Sequence, residues 1–392
     1  MRQKSNVVVF IGMSYPWGGI RHFALLGAEI AKLNSTEFDF YFASITKAPN
    51  EGFWQIVKND ISEERIIEEE SFEELVARMV GLASVYDKVL IHAGGGWGQT
   101  KHLVRAIHRL DRALRRRILL VGTTHSYKND SWMRIPMSAF QYVLYRFFYR
   151  MIVFQCQYAA DKFVGGNDLI RRGRGVVIPL GCEPFPQMSS TIPPAIQKMG
   201  LGDILLNRDV FKFVYLAAFR PGKMHAWLVR AIAPVLHSHN NAKVILCGQI
   251  QDRGAYLEAK GAISREGLQG SILLPGMVPR KDVPWLLQHV NCAIVPSRAE
   301  TFGHNFLEPM FAGIPVIGTS VGIGRDVITD NKTGWGFALK DPSTLTQAAL
   351  RMVEHPDDAA RMGQMAKKEV ENRFRHSDVA RQLTDLYKQL LG

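Results

Sequence analysis

Two glutamates, Glu300 and Glu308, stand eight positions apart in RAETFGHNFLEPMFAGIPVIGT, residues 298–319. A Thr-Phe-Gly turn lies between them, and a Gly-Ile-Pro-Val-Ile-Gly strand follows. The pattern reads CAIVPS as a strand, SRAETFGH as the loop at its carboxyl end, and NFLEPMFAG as a helix closed by Gly313. The amides of Phe302, Gly303 and His304, with Asn305 behind them, then sit at a helix N-terminus. Unpaired N–H groups and the helix dipole favour a phosphate or a sugar hydroxyl there. Glu300 precedes the turn and is expected to point at such a ligand, while Glu308, inside the helix, can accept two hydrogen bonds from a vicinal diol such as ribose. The plainer alternative is that Glu300 caps the helix and Glu308 lies on the surface.

Other groups could serve a ligand of that kind. Gly18 and Gly19, in SYPWGGIRHFALLGAEIAKL (14–33), lie where a strand-end loop enters a helix, and they let backbone amides approach closely. His125 closes ILLVGTTHS and can hydrogen-bond a sugar or orient a hydroxyl, or simply be a satisfied polar residue at a strand end. HAGGGWG (92–98) satisfies G-x-G-x-x-G in no register, which argues against a nicotinamide fingerprint. Cys156, Cys182, Cys247 and Cys292 are scattered without a C-x-x-C pair, so neither a disulfide scaffold nor a thiolate metal site is expected.

Two series of short apolar runs must position these groups. VVVFI (7–11), FDFYFAS (38–44), KVLIHA (88–93), ILLVGT (118–123), MIVFQ (151–155) and VVIP (176–179) alternate with helical patterns. A second series comprises FKFVYLAAF (211–219), KVILCG (243–248), SILLPG (271–276), CAIVPS (292–297) and PVIGTS (315–320). Fully apolar strands separated by helices imply parallel sheets covered on both faces. The expected fold is α/β, with two doubly wound, Rossmann-like domains facing across a cleft, because open parallel sheets bind ligands beyond the carboxyl ends of their strands. Expected boundaries are 1–185 for the first domain and 206–370 for the second, with the Pro- and Ser-rich stretch 186–205 as linker. A helix over 371–392 is expected to cross back to the first domain.

The chain has 392 residues and a formal charge of +12. Residues 101–150 hold eleven Lys/Arg against two Asp, whereas residues 51–75 hold nine Asp/Glu against Lys58 and Arg65. In KHLVRAIHRLDRALRRR (101–117), Leu103, Ile107, Leu110 and Leu114 form one helical stripe and Arg105, Arg109, Arg112 and Arg116 another. WMRIPMSAFQYVLYRFFYRM (132–151) adds aromatics interleaved with Arg134, Arg146 and Arg150. A basic helix beside aromatics suits an anionic bilayer or a lipid-linked acceptor, and for either stretch alone a solvated face is the plainer reading. No base-reading feature is present, so nucleic acid is not an expected partner. With no apolar run of about 18 residues, a spanning helix is not expected, and the composition suggests a cytoplasmic protein able to sit on the inner face of a membrane.

Glu300-Thr-Phe-Gly-His-Asn-Phe-Leu-Glu308, followed by Ala312-Gly313-Ile-Pro315-Val316, resembles the E-x-F-G-x4-E signature of the retaining glycosyltransferases of family four, glycosyl transferases group 1, which adopt the two-Rossmann GT-B fold. VILCGQ, LLPGMVPRKDVPWLLQHVNCAIVPS and SVGIGRDVITDNKTGW are similar to its neighbouring blocks, with Arg325-Asp326 replacing the usual small residue and glutamate. FRPGKMH (219–225) resembles the family's Phe-Arg-Pro-Glu-Lys-Asn-His turn; Gly222 and Met224 depart from it. The resemblance implies a nucleotide-diphosphate-sugar donor (UDP or GDP) and a glycan or lipid-linked acceptor in cell-envelope polysaccharide or glycolipid synthesis. It assigns Arg220 and Lys223 to the diphosphate, Glu308 to the ribose, Glu300 and the 302–304 amides to the sugar, and His125 to the sugar from the other domain. Gly18 and Gly19 fall near the donor phosphates. No metal or other cofactor is expected: the two cations would carry the charge of the leaving diphosphate, and the chain holds no Asp-x-Asp. A sugar-nucleotide epimerase on the same plan and a non-catalytic membrane-associated binding protein are the alternatives.

Overall fold

The computed structural model describes residues 5–11, 18–33, 36–45, 61–94, 97–124, 134–186 and 188–392. The chain divides into two compact units, one of residues 1–181 with 374–392, the other of residues 182–373.

The first unit is built on a seven-stranded sheet: β1 Asn6–Ile11, β2 Asp39–Ile45, β3 Ile66–Glu69, β4 Lys88–Gly94, β5 Ile118–Thr123, β6 Met151–Phe154 and β7 Gly175–Val177. The order is β3-β2-β1-β4-β5-β6-β7 and every pairing is parallel. Val7, Val8, Val9 and Phe10 are successive and all buried, the signature of a strand with helices on both faces. Local sequence sets the helix starts. Ser71 and Glu74 form a reciprocal capping box on the helix Phe72–Gly81. Asp111 accepts from the amides of Ala113 and Leu114 and so caps the helix Arg112–Arg117. The chain's last helix, His376–Leu391, belongs to this unit. It packs on the helix Gly18–Lys32, and its Tyr387 hydroxyl lies 2.5 Å from Nδ1 of the buried His92.

The second unit carries six parallel strands: β8 Phe211–Leu216, β9 Ala242–Cys247, β10 Ile272–Gly276, β11 Cys292–Val295, β12 Val316–Thr319 and β13 Gly334–Phe337. Their order is β10-β9-β8-β11-β12-β13. Strand order therefore reverses between β8 and β11, and a doubly wound sheet offers its ligand crevice beyond the carboxyl ends of that pair.

The stretch expected as a linker, 186–205, is folded onto this unit. Trp285 donates through Nε1 to the Ser189 carbonyl at 3.1 Å, and Gln288 donates to that of Pro186. Ile196, Leu201 and Leu205 are buried. Its Pro and Ser content punctuates short helices instead of freeing the chain, because these apolar side chains find a surface to cover. Among the described residues no helix is long and apolar enough to cross a membrane.

Candidate active site

Beyond β8 the chain runs through Ala217–Arg220 into a 3-10 turn, Pro221–Lys223, and then the helix His225–Ser238. Met224 joins turn to helix in the left-handed region, at φ 59°. Asparagine tolerates that conformation and methionine does not, so the departure from the family's turn is accommodated at the expense of local strain. Beyond β11 the chain runs through Ser297 and Glu300 to the helix His304–Phe311. The two loops are tied together: the Arg298 amide donates to the Gly222 carbonyl at 2.9 Å. The buried Tyr215 hydroxyl donates to the Lys223 carbonyl at 3.1 Å and lies 3.1 Å from the Ser297 hydroxyl.

This tie delivers Lys223 to Glu300. Their side chains form an ion pair and are only 10% and 9% exposed. Ser297 Oγ donates to the same carboxylate oxygen at 2.7 Å, and Asn305 Nδ2 does so at 3.2 Å. Burial pushes the Glu300 carboxyl up, but the Lys223 ammonium, these hydrogen bonds and nearby Arg220 more than offset it, leaving the group below its ordinary range. Glu300 is thus held ionised. Arg220 is exposed and pairs with no carboxylate among the described residues.

Glu308 is buried, so the surface alternative fails, and its carboxylate pairs with Arg280, whose side chain is 34% exposed. Burial draws the Arg280 guanidinium down, and the charge and hydrogen bond of Glu308 hold it above its ordinary value. Arg280 also lies 6.0 Å from the centroid of the Phe185 ring. The buried Cys182 feels the same carboxylate, its thiol pushed up by burial and by the Glu308 charge.

The helix carrying Glu308 is not capped by Glu300. Its N-cap is Gly303, at φ 100°, a conformation open to glycine and costly for other residues. Phe302 and His304 are buried with their rings 5.0 Å apart. The loop after β12 closes over this turn: the Ile323 amide donates to the Phe302 carbonyl at 2.6 Å. Gly322 is what permits the approach, because a Cβ there would lie 2.2 Å from that carbonyl oxygen and 2.8 Å from Glu300 Cβ. Arg325 and Asp326 follow, in the short helix Gly324–Val327.

His225, first in its helix, is buried, with its ring stacked on Phe219 at 4.2 Å and 4.9 Å from that of Tyr215. Burial and the Lys223 charge press it down to about 4, so it is neutral near pH 7.

Of the residues singled out from sequence, Arg220, Lys223, Glu300, Phe302, Gly303, His304, Asn305 and Glu308 all stand on the two segments beyond β8 and β11. Lys223 is matched to Glu300, whereas the sequence reading placed it with the diphosphate alone. Gly18 and Gly19 open the helix Gly18–Lys32 of the first unit. His125 lies outside the described residues. Arg105, Arg109, Arg112 and Arg116 are exposed on the first unit, remote in the chain from these groups. Sequence reasoning gave no role to Arg280, Ser297 or Tyr215. Arg280 sat visibly in LLPGMVPRKDV, but its partner could be known only from the packing of the segment after β10 against the Glu308 helix.

Two parallel doubly wound units of this kind define a GT-B-type chain. The crystal structure of Anabaena HepE in complex with UDP superposes with a TM-score of 0.74 at 18% identity, over 98% of this chain and 100% of that one. Sucrose-phosphate synthase from Thermosynechococcus elongatus superposes at 0.70 and 17% identity, over 99% of both chains. These likenesses show the fold. Residues 202–369, within the second unit, match the family model of glycosyl transferases group 1. Among curated relatives, the N-acetyl-alpha-D-glucosaminyl L-malate synthase of Bacillus anthracis is 25% identical over 178 residues, 45% of each chain. An uncharacterized glycosyltransferase of Methanocaldococcus jannaschii is 27% identical over 162 residues, 41% of this chain and 40% of that one. The matched region thus spans less than half the length of these relatives.

Proposed function

We propose that this protein is a retaining, metal-independent glycosyltransferase that moves a sugar from UDP or GDP to a glycan or lipid-linked acceptor of cell-envelope polysaccharide or glycolipid synthesis. The observation that carries the reading is the meeting of Lys223 and Glu300 at the point where the second sheet reverses its strand order, with Arg220 exposed beside them and Glu308 four residues into the helix that follows. The group 1 match over this unit and the UDP complexes of its structural neighbour support it.

In this reading Glu308 takes the ribose diol, with Arg280 moving from its carboxylate toward the nucleotide. Arg220 and Lys223 meet the diphosphate. As the bond between the anomeric carbon and the phosphate oxygen breaks, its electron pair stays on the diphosphate, and those two cations stabilise the growing charge without a metal. Glu300, kept ionised, faces the positive charge that develops on the sugar ring, and the amides of Phe302, Gly303 and His304, with Asn305, hold its hydroxyls. A protein on the inner face of the membrane would reach a lipid-linked acceptor through Arg105, Arg109, Arg112 and Arg116.

A thermal-shift screen with UDP, GDP and ADP and their sugars tests the reading. One diphosphate should raise the melting temperature, and Glu308→Ala should abolish the rise. No shift with any nucleotide would instead favour the non-catalytic binding protein. Release of an epimer from donor incubated alone would favour the epimerase.

A further inference from the structure

The helix Arg134–Phe148 turns Tyr145 inward, and Tyr149 just beyond it is buried on the same side. At about 100° per residue, Val143 and Phe147 fall on the opposite side, while Phe148 lies on the flank, about 60° round from Tyr145. These three are 44%, 69% and 37% exposed, and Phe140, 49% exposed, extends the stripe by a turn. The outer face of a soluble helix ordinarily carries polar groups; a ridge of large apolar side chains marks a contact surface.

Charge selects the partner. The His108 ring, at the end of the helix Trp97–His108, packs 5.2 Å from that of Phe148, which joins the apolar ridge to the arginine-bearing segment. Arg105, Arg109, Arg112 and Arg116 are exposed there, and none pairs with a carboxylate among the described residues. Arg146 lies 5.7 Å from the centroid of the Phe147 ring, and Arg150 is exposed beyond the helix. A second copy meeting this face would bring the same arginines against their counterparts, so self-association is opposed by charge. A bilayer with anionic headgroups matches both layers at once, phosphates for the rim and acyl chains for the ridge.

We infer that this face docks on an anionic membrane, with Val143 and Phe147 entering the acyl boundary and Arg105, Arg109, Arg112 and Arg116 meeting lipid phosphates. The inference supplies a surface for the membrane contact in the proposed function, but it needs no nucleotide, so each can fail without the other.

The full chain is to be sedimented, without donor, with vesicles of phosphatidylcholine and phosphatidylglycerol at about 7:3, and with phosphatidylcholine alone. Binding should be confined to the anionic vesicles. Val143→Ser/Phe147→Ser should weaken it about tenfold or more, from lost apolar burial. Arg109→Glu/Arg112→Glu should weaken it about thirtyfold or more, and added salt should do the same in kind. Both variants alter exposed positions and should melt with the wild type. The inference is overturned if the wild type ignores anionic vesicles, if it binds neutral ones equally, or if Val143→Ser/Phe147→Ser binds as the wild type does. Loss of a wild-type oligomer in that variant, without vesicle binding, would assign the face to a second copy instead.

Discussion

Replacing Lys223 with methionine separates what the Lys223–Glu300 pair does for the fold from what it does for a ligand. Both side chains are about nine-tenths buried, so the variant leaves Glu300 ionised in a dry pocket, with Ser297 and Asn305 still donating to it. Breaking a buried pair costs about 3–5 kcal/mol, and the retained donors place this case near 3 kcal/mol. Glu300→Gln leaves the ammonium stranded and should cost a similar amount. The double variant removes both charges and should recover about 2 kcal/mol or more of the summed loss, read as a coupling energy from urea unfolding. The pH dependence supplies a second signature. In the wild type the Glu300 carboxyl lies below its ordinary value, so its contribution is complete above the unfolded carboxylate range and is lost as pH falls through the folded value. Without Lys223, burial dominates and raises the carboxyl, so the variant should regain stability on acidification relative to the wild type. Nucleotide binding should stay lost in the double variant, because Lys223 is still missing. A coupling energy below about 0.5 kcal/mol would place the pair with exposed surface bridges and overturn its assignment as a buried, mutually stabilising pair.

Four further outcomes follow from the same geometry. His225, pressed to about 4 in the fold, stays neutral while its unfolded form protonates near 6.5, so stability should fall as pH drops through that window. Linkage puts the loss at about 2 kcal/mol between pH 7 and pH 5, and His225→Phe should flatten it in denaturant titrations. Met224→Gly relieves a left-handed methionine and should raise the second unit's stability by up to about 1 kcal/mol in thermal unfolding. Gly322→Ala forces a Cβ against the Phe302 carbonyl and should destabilise by about 2 kcal/mol while lowering nucleotide affinity in calorimetry. Arg280→Met strands the buried Glu308 carboxylate and should cost about 3 kcal/mol, part of which added nucleotide should restore because its ribose hydroxyls then donate to that carboxylate.

Most of the architecture is legible because a strand covered on both faces writes itself as an unbroken apolar run. VVVFI, KVLIHA and CAIVPS all became central strands. The two strands without such a run, Ile66–Glu69 and Gly334–Phe337, are edges of their sheets, where one side is unpaired and the sequence can carry glutamates or glycines. The 186–205 stretch misleads in the opposite direction, since Pro and Ser mark turns, and whether a turn-rich segment is free or packed depends on a surface elsewhere in the chain. At the site, the motif discloses which residues gather but not how they pair. Lys223 and Glu300 are 77 residues apart and meet only because β8 and β11 are sheet neighbours. Arg280 reaches Glu308 by the same kind of non-local placement, and neither pairing has a periodicity to betray it.

A crystal soaked with whichever nucleoside diphosphate most raises the melting temperature would show where the nucleotide sits. The ribose hydroxyls should lie on the Glu308 carboxylate, with Arg280 displaced from it, and the distal phosphate between Arg220 and Lys223. A nucleotide bound elsewhere on the chain, with the Arg280–Glu308 and Lys223–Glu300 pairs unchanged, would contradict it.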